Sequence, residues 1–201
     1  MHVKTQGLVL RETNYKEADK ILTVLTREGG KRTVKARGCR RKNSPLAASA
    51  QLLAWSDMTL FPYRDRLTLN EAEALELFWG VRADVEKLAL ASYFAEVTEA
   101  VAEEGRPDPA LLSLALNSLY ALDKLQRPLP LVKAAFELKL LCVAGYEPLL
   151  DACVVCGRAE PQEPRLDLAE GVLHCAACGL GDGGPRSLDA ASLAAMRHVV
   201  Y

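Results

Sequence analysis

The chain has 201 residues, of which half are hydrophobic and a quarter are charged, and its formal net charge is −1. This composition excludes a disordered chain, and the absence of an apolar run of about 18 residues predicts no membrane-spanning helix. The first twenty residues lack the basic, apolar and small-residue succession of a secretory signal, so we expect a cytoplasmic protein without membrane contact.

The near-neutral net charge results from two opposed regions. Residues 1–70 contain 14 Lys and Arg against 6 Asp and Glu, whereas residues 71–201 contain 11 against 20. The basic residues are densest from Lys31 to Lys42, a stretch without Asp or Glu that we call the basic segment. A basic first third predicts an anionic partner for that region, and nucleic acid fits better than a membrane because no basic amphipathic helix is visible there. The candidate contacts are Lys31, Arg32, Lys35, Arg37, Arg40, Arg41 and Lys42.

Short extended segments make up the first 70 residues. "VKTQGLVLR" and "ILTVLTRE" are rich in apolar and β-branched residues, and "YKEAD" between them allows one helical turn. Gly29-Gly30 predicts a two-residue hairpin turn into a strand over 31–37, with Lys35 and Arg37 on one face and Val34 on the other. "QLLAWSDMTLFPY" and "RLTLNEAEAL" complete five strands, which fit a small barrel of the OB-fold type.

A helical period replaces the strand pattern after Trp79. Apolar residues at positions 90, 94, 97 and 101 predict one amphipathic helix over 82–104. Asp108-Pro109 is an N-cap followed by proline at the first helical position, so a second helix begins there. A third helix runs from about Leu131 to a stop at Gly145. These helices predict a small bundle after the barrel.

A last helical pattern begins after Ser187, which is a candidate N-cap. The pattern is still in progress at Tyr201. We therefore expect that the complete protein has a further C-terminal segment.

Four cysteines carry the most specific signal in the chain. Cys153 and Cys156 form one Cys-x2-Cys pair, and Cys175 and Cys178 form another after 18 intervening residues. Two such pairs present four thiolates to one tetrahedral Zn²⁺, and four protein ligands leave no open position for water. The spacing therefore predicts a structural zinc site and disfavours catalysis at the metal.

Other cysteine and histidine residues have weaker interpretations. His174 is next to Cys175 and is an alternative ligand, although an exposed position on a loop is the preferred interpretation. Cys142 lies on the apolar side of the third helix and is expected to be a small buried hydrophobe. Cys39 lies among arginines, which allows a thiol of lowered pKa as an alternative to a buried one.

The basic segment is either an ordinary solvated surface or a binding site. Lys and Arg in a row often form a solvated face, but the predicted hairpin gathers these charges on one side of a barrel type that commonly binds single strands. Phosphate neutralisation would give affinity without sequence readout and a steep salt dependence. Candidate residues for base stacking, each also a candidate for core packing, are Tyr15, Trp55, Phe61 and Tyr63.

No catalytic motif is visible in the sequence. A Gly-rich phosphate loop, a Gly-x-Ser-x-Gly elbow and the His-x-Glu of nucleobase deaminases are all absent, so we expect no enzyme. Two further functions fit the same residues. One is a zinc-ribbon RNA-binding or transcription-associated adaptor, and the other is a structural adaptor whose basic face docks an acidic protein.

The block "GLVLRETNYKEADKILTVLTREGGKRTVKARGCRRKNSP", with the aromatic-bearing strand, helical middle and Cys-x2-Cys pair that follow it, resembles the RecO family of bacterial DNA repair proteins. The similarity spans nearly the whole chain. It implies an α+β protein with an N-terminal OB-fold barrel, a central α-helical bundle and an inserted four-cysteine zinc knuckle. Members of this family bind single- and double-stranded DNA and anneal complementary strands, including strands coated by single-strand-binding protein. They help load the RecA recombinase together with RecR and, in some routes, RecF.

The resemblance also implies roles for individual residues. DNA contact falls on the seven cations of the basic segment, and zinc falls on the four cysteines. Family members dock the C-terminal tail of single-strand-binding protein in the helical domain, for which Lys133 and Lys139 are our choice. The expected domains are 1–78 for the OB-fold, 79–148 for the helices, 149–184 for the zinc lobe and 185–201 for a C-terminal helix packed on the helical domain.

Overall fold

A computed structural model describes residues 2–63, 66–178 and 186–201, with the side chain of Tyr63 left out. The first five strands close into a barrel in the order β1-β2-β3-β5-β4. Neighbouring strands are antiparallel except β3 and β5, which run parallel. This topology confirms the predicted small barrel of the OB-fold type. Its strands are β1 (Val3–Tyr15), β2 (Asp19–Thr26), β3 (Gly30–Ala36), β4 (Trp55–Tyr63) and β5 (Arg66–Glu76).

Alternation along β3 explains why a strand rich in lysine and arginine belongs to a barrel. Val34 and Ala36 are fully buried in the barrel core, whereas Thr33 and Arg37 are exposed. Successive side chains of a strand point to opposite faces, so the small apolar residues Val34 and Ala36 enter the core, while Lys35 points the other way and stays partly exposed. The barrel core consists of residues from the strands and the loop after β3, among them Val9, Leu22, Val24, Val34, Cys39, Met58, Leu60 and Leu69.

The turns of the barrel differ from two local predictions. "YKEAD" forms no helical turn, because Lys16 to Ala18 make a tight connection in which Lys16 has φ 55° and β2 already begins at Asp19. The β2–β3 hairpin pairs Thr26 with Gly30, so its loop has three residues and Gly30 belongs to the strand. A β-carbon on Gly30 would lie 2.0 Å from the carbonyl oxygen of Arg106, and its φ of 64° also favours glycine.

The predicted helix over 82–104 is α2 (Val85–Val101), which is shorter at both ends, and a separate short helix, α1 (Trp79–Arg82), precedes it. Asp84 separates them: its carboxylate accepts hydrogen bonds from the amides of Glu86 and Lys87, which makes it the N-cap of α2. The buried face of α2 includes Ala91, Phe94, Ala95 and Thr98. Of the four predicted positions only Phe94 is fully buried, because the small residues of this helix make the close contacts. The third helix of this region, α3 (Pro109–Lys124), begins with the predicted Asp108 cap.

The rest of the chain contains α4 (Leu129–Val143), three short strands and a final helix. β6 (Arg165–Asp167) lies between β7 (Val172–His174) and β8 (Arg186–Ser187) in one small sheet, and α5 (Ala190–Val200) follows. The predicted cap of the last helix was wrong: Ser187 belongs to β8, and Asp189 caps α5 by accepting from the amide of Ser192. Side chains of α5, β6 and β7 share one apolar cluster of Leu150, Leu166, Leu173, Leu193 and Val200.

The chain divides into two compact units, the first ending at Val132 and the second covering Lys133–Tyr201. The division falls within α4. The finer division at residues 78, 148 and 184 stays a prediction, and residues 179–185 of the predicted zinc lobe lie outside the described part. Among the residues that the structure describes, no helix combines the length and apolarity needed to cross a membrane.

Candidate nucleic-acid interface and metal centre

The last four cations of the basic segment lie in the loop after β3, which we call the basic loop (residues 37–42). Arg37, Arg40, Arg41 and Lys42 are all exposed there. Across the described part of the chain, none of the four forms an ion pair with a carboxylate. Their charge is therefore presented to solvent, which is what a polyanion needs to displace counterions.

The basic loop is fastened to the turn between β1 and β2. The amide of Arg40 donates to the carbonyl oxygen of Ala18 at 3.0 Å, and its guanidinium donates to the carbonyl oxygens of Lys16 and Glu17 at 3.4 and 3.2 Å. Arg40 thus holds the loop as well as contributing charge. Its neighbours Arg37, Arg41 and Lys42 extend from a fixed base.

Asp19, which was not among the predicted site residues, is the second anchor of the basic loop. Its carboxylate accepts from the amide of Gly38 at 2.8 Å and forms an ion pair with Lys35 at 2.8 Å. The Lys35 and Gly38 hydrogen bonds hold the pKa of Asp19 below its ordinary value of 3.8. Sequence reasoning missed this residue because a lone acid in a basic region carries no signal until the loop folds back onto it.

The two cations at the start of β3 have different surroundings. The ammonium of Lys31 donates to the carbonyl oxygen of Glu99 at 2.9 Å, and the Lys31 backbone bonds to Glu103 and Gly105, which follow α2. Lys31 therefore joins the barrel to the end of α2 in addition to any contact with an anion. Arg32 is half-buried and borders two clefts on the barrel.

The larger of those two clefts has a volume of about 520 Å³ and is bounded by residues of β1, β2, β3 and β5. Arg32, Lys35 and Arg66 contribute positive charge to it, and Tyr15 contributes an aromatic ring that is 37% exposed. The ammoniums of Lys35 and Lys16 lie 4.9 and 5.6 Å from the centroid of that ring. Arg66 was missed from sequence because it lies 24 residues beyond the basic segment.

The remaining predicted stacking residues are less accessible or less cationic in their surroundings. Trp55 is half-buried with the Arg27 guanidinium 6.0 Å from its ring, and Phe61 contacts His2 at a centroid distance of 5.3 Å. The side chain of Tyr63 lies outside the described residues. Tyr15 is thus the one of the described candidates that the structure brings next to the basic segment.

Lys133 and Lys139, the predicted partner contacts on α4, are both engaged within the second unit. Lys133 forms an exposed ion pair with Glu137 at 2.7 Å. The Lys139 ammonium donates to the carbonyl oxygen of Val200 at 2.9 Å, at the end of α5.

The four predicted zinc ligands lie together. The sulfur atoms of Cys153, Cys156, Cys175 and Cys178 are all within 4.8 Å of one another. The Cys156 and Cys175 sulfurs are 3.8 Å apart, which is the spacing of about 3.8 Å that two arms of about 2.3 Å make in a regular tetrahedron. Gly157, with φ 71°, donates its amide to the carbonyl oxygen of Cys153 and closes the first knuckle. The donor set and its geometry fit a zinc ion.

The electrostatics of the four thiols agree with a cation site. Backbone amides, that of Cys156 first, lower the pKa of Cys153 to about 6. Hydrogen bonds to the sulfurs of Cys175 and Cys156 raise the pKa of Cys178 to about 12. Four sulfurs this close cannot all carry charge without a counterion, so a divalent cation replaces protons when it binds.

The other cysteines and His174 are placed more clearly than the sequence allowed. Cys39 is 3% exposed in the barrel core, and burial raises the pKa of its thiol, so the reactive alternative was wrong. Cys142 is half-buried, packs against the apolar cluster of the second unit and donates to the carbonyl oxygen of Leu138. His174 is not on a loop: it is half-buried at the end of β7 and is not part of the four-sulfur group.

Comparisons with known proteins agree with this architecture. Residues 1–78 match the family model described as recombination protein O N terminal, and residues 82–201 match recombination protein O C terminal. The DNA repair protein RecO of Acetivibrio thermocellus is 34% identical over 201 residues, which is all of this chain and 80% of the relative.

Two further relatives carry the same name. The DNA repair protein RecO of Alkaliphilus metalliredigens is 38% identical over 178 residues, 89% of this chain and 72% of the relative. That of Symbiobacterium thermophilum is 40% identical over 158 residues, 78% of this chain and 62% of the relative. With both halves of the chain matched, the barrel closed as predicted and the four cysteines assembled, the chain belongs to the RecO family of DNA repair proteins.

Proposed function

We propose that this protein is a recombination mediator that binds single- and double-stranded DNA through the basic segment and pairs complementary strands. One observation carries the proposal: the basic loop is exposed, fixed at its base by Asp19 and Arg40, and without carboxylate partners in the described part of the chain. Membership of a family of DNA repair proteins supports DNA as the polyanion.

The seven cations of the basic segment have unequal roles in this proposal. Arg37, Arg41 and Lys42 are direct phosphate contacts because they are exposed and unpaired with acids. Arg32 and Lys35 act from the cleft: Arg32 contacts phosphate there, and Lys35 adds to the local positive potential while its ion pair with Asp19 holds the base of the loop. Arg40 and Lys31 mainly hold the surface in place, because each already donates to backbone carbonyls.

Strand pairing by such a surface needs no bond to be broken in the DNA, so we propose a mediator and not an enzyme. Two complementary strands repel each other through their phosphates. A cationic surface lowers this repulsion, and phosphate contacts carry no sequence information, so the strands can shift until they are in register.

The proposed partners follow from the family. We propose that the protein acts with RecR, in some routes with RecF, and thereby aids RecA loading on strands coated by single-strand-binding protein. Lys133 and Lys139 are the proposed contacts for the tail of that protein. Lys133 is the stronger of the two, because its exposed pair with Glu137 exchanges readily, whereas Lys139 is bonded to the end of α5. Since the substrate is chromosomal DNA, we expect the protein at the nucleoid in the cytoplasm.

The four cysteines are proposed to hold a structural Zn²⁺. A zinc ion with four thiolate ligands supplies folding energy and no reactive position. Cys153 and Cys175 are buried, and the amide of Val154 donates to the carbonyl oxygen of Leu173, so the ion would fix the β6–β7 sheet to the preceding knuckle.

A strand-annealing assay tests the proposal. Two complementary oligonucleotides, one carrying a fluorophore and the other a quencher, are mixed with and without single-strand-binding protein. The wild-type protein accelerates pairing, and the Arg41→Gln/Lys42→Gln variant does so more slowly. Arg127→Gln, which removes an exposed charge in the segment after α3, is the control and keeps full activity. Equal annealing by the wild type and the loop variant contradicts the proposal, and preferential binding of an RNA competitor favours the RNA-adaptor alternative.

A further inference from the structure

The cleft beside the basic segment has a floor and walls of different chemistry. Ile21 and Leu67 give it apolar surface, while Arg32, Lys35 and Arg66 converge on it with positive charge. Its volume of about 520 Å³ lies within the roughly 300–1,000 Å³ of small-molecule sites. A bare phosphate would use only the cations. A nucleotide, with an apolar base joined to a phosphate, uses both.

Tyr15 supplies a surface on which a base can stack. The residue ends β1, and over a third of it is exposed, unlike the aromatic residues of the barrel and helix cores. Two ammoniums, those of Lys35 and Lys16, lie within 5.6 Å of the ring centroid. Both ammoniums lie over the ring, so a base that stacks on Tyr15 displaces a lysine from the ring face, and the displaced ammonium is then close enough to pair with a phosphate.

Arg32 and Arg66 connect this cleft to a second one. Both arginines and Leu67 also border a cleft of about 360 Å³ that includes Thr26 and Gly29 of the β2–β3 hairpin. A backbone leaving the larger cleft would thus pass two guanidiniums. Glu104 also lines the larger cleft, beside the start of β3 where it bridges to Lys31, and its negative charge repels phosphate from that part of the cleft.

Such a cleft distinguishes single strands from duplex. A base in duplex is paired at its edge and stacked on both faces, so it cannot lie on Tyr15 without leaving the helix. An unpaired base has a free face, and stacking on an aromatic side chain is tolerant of sequence. Phosphates on the outer surface, by contrast, are accessible to the basic loop in both kinds of DNA.

We infer that the cleft holds one unstacked nucleotide of single-stranded DNA, with Tyr15 as the stacking surface and Arg32 and Arg66 as phosphate contacts. The inference rests on the proposed function and assigns different substrates to the two parts of the DNA surface. The basic loop binds any DNA, and the Tyr15 cleft adds affinity for single strands alone.

Three DNA substrates of equal length test the inference: a single strand, a duplex, and a single strand whose central residues are abasic. Tyr15→Ala is expected to weaken binding of the normal single strand about 5- to 140-fold, the range that loss of one stacked base gives. Binding of the duplex and of the abasic strand stays at the wild-type level. Tyr15→Phe keeps the ring and binds all three as the wild type does. A 2-aminopurine base in the single strand is quenched by the wild type and not by Tyr15→Ala.

The outcomes separate the inference from the proposed function. If Tyr15→Ala weakens all three substrates equally, Tyr15 only positions Lys35, and the nucleotide site is wrong. If it weakens none, the cleft takes no base, and the inference is equally wrong. In both cases the proposed function stands so long as Arg41→Gln/Lys42→Gln weakens all three substrates; if that variant binds like the wild type, the proposed function itself fails. Thermal unfolding of each variant shows whether the barrel is intact.

Discussion

Asp19 shows how one carboxylate organises a cationic surface. Seven basic residues in twelve would repel one another and leave the basic loop without a defined course. Asp19 receives the amide of Gly38 at one oxygen and the ammonium of Lys35 at the other, so it fixes the point where β3 becomes the loop. This arrangement neutralises the charge of Lys35 and leaves the exposed cations of the basic loop free to bind an anion. A short acidic residue at the start of β2 is therefore part of the DNA surface that we propose.

Replacing Asp19 is expected to release the basic loop. Asp19→Ala removes both contacts, so trypsin should cleave after Arg37, Arg41 and Lys42 sooner than in the wild type, because proteolysis follows local opening. Mass spectrometry of the fragments over time measures the effect. Asp57→Ala removes an exposed acid of β4 and should leave the cleavage rate unchanged. Equal cleavage of the wild type and Asp19→Ala would mean that the loop is held by other contacts.

The same carboxylate predicts a pH dependence. Its pKa is held below the ordinary value of 3.8, so the ionised form is favoured in the folded protein. The attachment is therefore fully present above that value and is lost as the pH falls through the lowered pKa. Hydrogen exchange at the Gly38 amide should accelerate relative to other barrel amides only below about pH 4.

At the level of elements, the two cysteine knuckles flank a very small sheet whose apolar core is shared with α5. β6 and β7 contain three residues each and β8 contains two, too few for a stable sheet by themselves. The first knuckle precedes β6 and the second follows β7 directly. The proposed metal ion would close this loop and add to the small apolar cluster that the short strands form with α5.

Loss of one knuckle ligand is expected to act on the second unit alone. Cys156→Ser should lose zinc, and amides of residues 150–178 should lose protection in hydrogen-exchange mass spectrometry, because four-thiolate sites bind weakly with three ligands. Amides of β1 to β3 should keep their protection, since the barrel has its own core. Cys142→Ser, a change outside the four-sulfur group, is the control and retains the metal. Retention of one zinc per chain by Cys156→Ser would contradict the assignment.

Local patterns predicted the parts of the fold that depend on near neighbours. The alternation of β3, the Asp108 cap and the Cys-x2-Cys spacings each lie within a few residues, and the structure confirms them. The cap of the last helix was misjudged, because Ser187, two residues before Asp189, offered an equally good local signal. Contacts between distant segments gave no signal at all: Lys31 meets Glu99 across 68 residues, and Tyr15 and Arg66 line one cleft only because the barrel closes.

At the level of the first unit, acidic residues of the barrel lie on β4 and β5, whereas basic residues lie on β3 and the basic loop. Asp57 on β4 faces Glu73 on β5, and Glu71 is two residues away on the same strand. Like charges directly opposite each other weaken a sheet, so this pair is not explained by stability. It does repel phosphate from β4 and β5 and leaves β3 and the basic loop as the favourable side for a polyanion. The near-zero net charge of the chain is consistent with this segregated arrangement.

Equilibrium binding of a single-stranded oligonucleotide across a salt series tests the central claim most directly. Removing one phosphate contact reduces the magnitude of the slope of log K against log salt by about 0.7 for a single strand. Arg41→Gln/Lys42→Gln should therefore reduce it by about 1.4, twice that value. Arg127→Gln, the control for removal of charge elsewhere, should leave the slope unchanged. A double variant with the wild-type slope would show that DNA does not lie on the basic loop.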